Sequence, residues 1–108
     1  MKTYNKLVRD KIPEIIVAEN KIPKTRILGD EEYKKELLRK LLEESNEVFE
    51  ARNNEQDLSK EIGDVLEVVD SVIKAFKLDK NQILNLKSKR KEERGGFDKQ
   101  IFLESVEE

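Results

Sequence analysis

Five acidic residues in two short stretches have a spacing suited to holding a metal ion. Glu43, Glu44 and Glu47 lie in "EESNE", and Glu61 and Asp64 lie in "EIGD". The chain contains no His and no Cys, which excludes Ser-His and Cys-His nucleophiles, thiolate chemistry and the usual zinc sites. Catalysis would therefore depend on carboxylates, Lys, Arg, Tyr, Ser or a metal bound by oxygen. Carboxylate oxygens suit Mg²⁺ or Mn²⁺.

The helix that carries the first stretch places one glutamate inside its apolar stripe. At about 100° per residue, the stripe comprises Tyr33, Leu37, Leu41 and Val48. Glu44 falls within this stripe, Glu47 lies on its rim near Lys40, and Glu43 points well away. An unpaired buried carboxylate is costly, and for a lone glutamate the commoner arrangement is pairing with a neighbouring Lys or Arg.

The next predicted helix carries two more acidic residues, which makes simple pairing with Lys or Arg a less complete explanation. Glu61 lies beside its apolar face, and Asp64 lies one turn further along the same flank. A short connection makes the two helices antiparallel, so the Glu44/Glu47 pair should face the Glu61/Asp64 pair. We expect no cluster of Lys or Arg on these faces to neutralise the four acids. A hard divalent cation would neutralise them, which predicts a metal site at the helix seam.

Hydrophobic periodicity predicts an all-α fold of the four-helix-bundle type. The helices are expected near Pro13, from Asp30 as a cap to about Arg52, from about Asp57 to Lys77, and from Asp79 as a cap to the glycines at 95 and 96. A short extended stretch precedes them, and "FDKQIFLESVEE" is expected to form a C-terminal arm.

Length and charge bound the class of protein. The chain has 108 residues, which suits one domain over 1–108. Charged residues make up 43% but the net charge is only -2, so a nucleic-acid surface is not indicated. No signal peptide or membrane span is visible, and the absence of cysteine fits a cytoplasmic protein.

Together, these stretches resemble a known enzyme family. The pattern E-E-x-x-E followed by E-x-x-D resembles the signature of MazG-like all-α nucleoside triphosphate pyrophosphohydrolases, which include phosphoribosyl-ATP pyrophosphohydrolases and all-α dUTPases. The flanking stretches "YNKLVRDKIPEII" and "KRKEERGGFDKQIFL" are similar to a small single-domain branch. The resemblance implies that Mg²⁺, with Mn²⁺ as a possible substitute, is held by Glu44, Glu47, Glu61 and Asp64.

The resemblance also implies an activity: hydrolysis of a nucleoside triphosphate between the α and β phosphates, giving a monophosphate and pyrophosphate, as house-cleaning of modified or excess nucleotides. Glu47 is the preferred general base, with Glu44 as the second catalytic carboxylate. Phosphate contacts are expected from a set of basic residues: Lys89, Arg94, Lys6, Arg9 and Lys11.

Other readings stay open at this point. One is true phosphoribosyl-ATP hydrolysis, and another is a non-catalytic helical dimerisation module that retains the carboxylates as a metal staple. A homodimer or larger homo-oligomer is expected in each case, burying the third-helix face around Val68, Val69 and Val72.

Overall fold

A computed structural model describes residues 1–107, and its regular structure is entirely helical. Its elements are α1 (Ile12–Ala18), α2 (Asp30–Glu50), α3 (Glu55–Ala75) and α4 (Lys80–Arg94). No strand occurs in these residues, so the predicted all-α fold is confirmed. The long helices α2 and α3 each end two residues before their predicted ends.

Local side-chain caps explain where two of the helices begin. The Asn54 side chain accepts a hydrogen bond from the backbone N–H of Asp57, at 3.0 Å. Asp79 accepts one from the N–H of Gln82 at 3.2 Å, as predicted. The predicted cap of α2 is wrong: Gly29 is the N-cap residue, and Asp30 is the first residue of the helix. There its carboxylate still favours the helix terminus electrostatically.

The glycine at position 95 ends α4. Its backbone has a φ of 85° and a ψ of 176°, a conformation that glycine adopts without the steric penalty of a side chain. Its N–H donates to the carbonyl of Lys91 at 2.7 Å. The predicted C-terminal arm follows: residues 101–107 belong to no helix or strand, while Glu108 lies outside the described residues.

Helices α2 and α3 form a hairpin that positions the acidic residues. The four residues 51–54 connect them, so these two helices of 21 residues each pack antiparallel. Leu37 of α2 and Val68 of α3 are the buried apolar side chains among residues 1–107. Val68 is thus part of the core of one chain, which corrects its assignment to an interface between chains.

The chain divides into two compact units. One is Met1–Lys77, which holds α1, α2 and α3, and the other begins at Leu78 and holds α4 and the C-terminal arm. None of the helices in the described part of the chain has the length and apolar character needed to cross a bilayer.

Candidate metal centre

Three carboxylates meet at the seam between α2 and α3. One oxygen from each of Glu44, Glu61 and Asp64 lies within 4.8 Å of the other two. Glu44 comes from α2, whereas Glu61 and Asp64 lie one turn apart on α3. The two acidic stretches, 17 positions apart at Glu44 and Glu61, come together because a short turn folds one helix back on the other.

The position of Glu44 follows from the periodicity of its helix. Leu37 lies two turns before Glu44 on the same face, and both residues are buried. Glu44 is only 7% exposed, which is unusual for a glutamate. The helix therefore carries a carboxylate where the pattern otherwise requires an apolar side chain, as the sequence predicted.

Two oxygens at the seam are buried without a hydrogen-bond partner. They are Oε2 of Glu44 and Oε2 of Glu61. Buried acceptors are normally satisfied, because leaving one unpaired costs roughly 1–3 kcal/mol. A cation between these oxygens would satisfy both of them.

Burial and mutual repulsion make the seam resist ionisation. Burial raises the pKa of Glu44, and the nearby charge of Glu47 raises it further. Burial likewise raises the pKa of Glu61, followed by its contact with Glu47 and by the charge of Asp64. The raised pKa of each glutamate indicates that the site is short of positive charge.

Glu47 lies beside the three grouped acids but is exposed. It is close enough to Glu44 and Glu61 to raise the pKa of each. Its oxygens are not among those that lie within 4.8 Å of one another in the described residues. The four acids Glu44, Glu47, Glu61 and Asp64 are called the carboxylate cluster below.

Two basic residues reach the carboxylate cluster, which is too few to neutralise all four acids. Arg9 Nη2 donates to Asp64 Oδ1 at 2.8 Å. Lys40 Nζ lies 3.7 Å from Glu44 Oε1. The Lys40 contact has the i,i+4 spacing that favours ion pairs on a helix, so the sequence carried a signal for it. The Arg9 contact spans 55 residues and has no local signal.

The adjacent Glu43 lies outside the carboxylate cluster and shares Lys40 with Glu44. Its Oε1 accepts from Lys40 at 3.2 Å and from Lys6 at 3.3 Å. Partial burial opposes ionisation of Glu43, but these two hydrogen bonds outweigh it and lower the pKa. Glu43 thus points away from the cluster and toward a surface lysine, as the helical wheel predicted.

Three other basic residues are predicted to bind phosphate: Lys11, Lys89 and Arg94. Lys11 is exposed at the start of α1. Lys89 and Arg94 lie on α4, in the unit that begins at Leu78, where Lys89 pairs with Glu93 at 3.9 Å. Their contact with substrate stays a prediction, whereas Arg9 and Lys6 lie at or next to the cluster.

The donor set suits a hard divalent cation. Carboxylate oxygens are the ligands that Mg²⁺ prefers. The three grouped oxygens all lie within 4.8 Å of one another. The four acids of the cluster outnumber the two basic residues that contact them, Arg9 and Lys40. Lys40 is also shared with Glu43, so the cluster has room for the charge of a divalent cation.

Comparison with models of known protein families identifies a match. Residues 32–98 match the family model of the MazG nucleotide pyrophosphohydrolase domain. The match includes all of the carboxylate cluster. Comparisons with curated proteins and with solved structures found no significant match. The prediction that 1–108 forms one domain stays a prediction, and the family match covers the greater part of that range.

Proposed function

The chain belongs to the MazG nucleotide pyrophosphohydrolase family, and on that premise we propose that it hydrolyses a nucleoside triphosphate between the α and β phosphates in a Mg²⁺-dependent reaction. The products are a nucleoside monophosphate and pyrophosphate. The role that fits this chemistry is removal of modified or excess nucleotides in the cytoplasm.

One observation carries the proposal. Two buried glutamate oxygens, from different helices, lack hydrogen-bond partners within a group of three carboxylates. In a cluster with only a structural role, Lys or Arg side chains would be expected to pair with these oxygens. A metal-binding cluster needs such oxygens to be available.

The residues that would hold the ion are Glu44, Glu61 and Asp64, with Glu47 at the edge of the group. When bound, the ion supplies neutralisation of phosphate charge and acidification of a bound water. Glu44 and Glu61 fix the position of the site because their helices pack together. Asp64, half-buried, is held by Arg9.

Glu47 is the carboxylate best placed to accept a proton. It is exposed, and it lies next to Glu44 and Glu61 without being part of the close group. A general base needs an oxygen that is not fully engaged as a ligand and that water can reach. We therefore assign Glu47 as the base and Glu44 as the neighbouring carboxylate that fixes the position of the site.

The test is product identification with a panel of ordinary and modified nucleoside triphosphates. Phosphorus NMR would distinguish monophosphate plus pyrophosphate from diphosphate plus orthophosphate. We expect the first pair, and phosphoribosyl-ATP belongs in the panel as the alternative substrate. Release of orthophosphate alone would rule out the proposed bond.

We also propose that the protein is at least a homodimer. Only Leu37 and Val68 are buried apolar side chains in residues 1–107, while Leu42 of α2 is 73% exposed. Leu38, Leu42 and Phe49 recur at helical spacing along one exposed stripe of α2, and Ile62 and Leu66 do so on α3. A second copy of the chain would cover these stripes and enlarge a core that is small for one chain.

A further inference from the structure

The N-terminal segment, residues 1–11, is tied to both helices of the hairpin. Lys6 contacts Glu43 on α2 at 3.3 Å, and three residues later Arg9 contacts Asp64 on α3 at 2.8 Å. The segment has no regular structure before residue 12, and Asn5 has a φ of 47°. Its two basic side chains thus hold an irregular segment beside the carboxylate cluster.

The Lys6 and Arg9 contacts differ in the carboxylate that each engages. Glu43 is outside the cluster, so Lys6 takes no oxygen that a metal would need. Asp64 is one of the three grouped acids, and its Oδ1 accepts a hydrogen bond from the Arg9 guanidinium. The guanidinium therefore supplies, to a carboxylate of the candidate metal centre, part of the positive charge that a metal would supply.

A metal ion could readily replace Arg9 as the partner of Asp64. The Arg9 side chain is 58% exposed, so it can swing into solvent, and an ion pair of this exposure is weak. A divalent cation held by three carboxylates competes strongly with one such pair, and the two positive charges also repel each other. Once displaced, a guanidinium at the edge of the site is well suited to bidentate phosphate contacts.

We propose that Arg9 is an exchangeable counter-ion: it holds Asp64 in the metal-free enzyme and transfers to a phosphate of the nucleotide when metal takes Asp64. This inference rests on the proposed function. It gives the N-terminal segment a role in coupling metal loading to substrate binding. It differs from a fixed supporting role for Arg9, which would make Arg9 favourable to metal binding.

The chain offers a matched control. Arg39 donates to Glu36 at 2.8 Å, the same distance as the Arg9 contact, and its side chain is 62% exposed. Glu36 is not part of the carboxylate cluster. Arg39→Gln therefore removes an equivalent ion pair and charge, away from the metal centre.

The experiment measures Mn²⁺ binding by calorimetry without nucleotide, then binding of inorganic tripolyphosphate to the Mn²⁺-loaded protein. Arg9→Gln should bind Mn²⁺ about three- to fivefold more tightly, the size expected for loss of a half-exposed ion pair. It should bind tripolyphosphate about tenfold more weakly. Arg39→Gln should change neither constant, and circular dichroism should show all variants folded.

A second substitution separates charge from shape. Arg9→Lys keeps the charge but loses the bidentate fork, so it should retain wild-type Mn²⁺ affinity and still weaken tripolyphosphate binding. Unchanged or weaker Mn²⁺ binding in Arg9→Gln would show that Arg9 does not compete with the metal for Asp64. Unchanged tripolyphosphate binding would show that Arg9 does not move to a phosphate.

Failure of the exchange and failure of the proposed function give different results. If the wild type binds Mn²⁺ and releases pyrophosphate while Arg9→Gln behaves as wild type, only the exchange is wrong. If Mn²⁺ binds but no triphosphate is cleaved, the proposed function fails, and the binding constants still decide the exchange. A wild type that binds no Mn²⁺ would overturn both.

Discussion

Glu43 and Glu44 are adjacent in the sequence and lie in opposite electrostatic environments. Glu43 accepts hydrogen bonds from Lys6 and Lys40, which lower its pKa. Glu44 is buried among other carboxylates, which raises its pKa, and its Oε2 has no hydrogen-bond partner. The 100° step between neighbours on a helix thus separates a glutamate paired with two lysines from a candidate metal ligand.

The first prediction concerns activity. Glu44→Gln should lower the rate of pyrophosphate release at saturating Mg²⁺ by at least about 100-fold, above the range typical of groups that only support a metal ligand. Glu43→Gln should lower it by less than about fivefold, because a surface carboxylate rarely contributes more than about 1 kcal/mol. Steady-state assays of both variants decide this. Equal losses would mean that Glu43 acts on the site through Lys40.

The second prediction concerns stability of the metal-free protein against pH. A raised pKa means that folded Glu44 binds a proton more tightly than unfolded Glu44 does. The free energy of unfolding therefore falls as pH rises from the ordinary glutamate pKa through the raised one, and above that the penalty is complete. Glu44→Gln should remove this penalty.

The measurement is thermal melting in EDTA. At about pH 7.5, Glu44→Gln should melt about 4–8 °C higher than wild type, the shift that ~1 kcal/mol produces in a small domain. The difference should shrink at about pH 4.5. Glu43→Gln is the control of opposite sign: its lowered pKa contributes stability at neutral pH, so this variant should melt slightly lower. A destabilised Glu44→Gln at neutral pH would argue against carboxylate repulsion.

The third prediction separates the roles of Glu47 and Glu61. Glu47→Gln should lower kcat by about 100-fold or more while changing Mn²⁺ affinity by only a few fold, because Glu47 is assigned as base at the edge of the group. Glu61→Gln should weaken Mn²⁺ binding itself. Calorimetry and kinetics on the two variants check this. Loss of Mn²⁺ binding in Glu47→Gln would instead make Glu47 a principal ligand.

The fourth prediction concerns assembly. Wild type should sediment as a dimer or larger at micromolar concentration, and Leu42→Glu should shift it toward monomer, because a charge would enter the proposed interface. Ile22→Glu is the control, since Ile22 is also a large exposed apolar residue but lies in the loop before α2. A monomeric wild type would contradict the proposal, and so would a Leu42→Glu variant with unchanged sedimentation.

The placement of the carboxylates could be predicted because it depends on local rules. The period of the helix puts Glu44 in line with Leu37, and a four-residue connection brings α3 back alongside α2. Those two facts are enough to bring Glu44 near Glu61 and Asp64. Their role as metal ligands stays a prediction.

The contact of Arg9 and the burial of Val68 could not be predicted from the sequence. The first depends on a contact between distant parts of the chain, and the second on which of several similar apolar residues faces the core. Arg9 reaches Asp64 from 55 residues away, and periodicity gives no information about such a contact. The sequence predicts an interface around Val68, Val69 and Val72, because the four helices carry more apolar surface than one chain of this length can cover. Which of them face the core depends on the rotation of α3, and the structure buries Val68.

Dependence of the reaction on metal is tested by measuring pyrophosphate release from nucleoside triphosphates as a function of added Mg²⁺, starting from protein stripped with EDTA. We predict no release without metal and recovery with Mg²⁺ or Mn²⁺. Glu44→Gln should recover at most about one hundredth of the wild-type rate at Mg²⁺ concentrations that saturate wild type. Full release in metal-free buffer, or full recovery in Glu44→Gln, would show that the carboxylate cluster is not the active site.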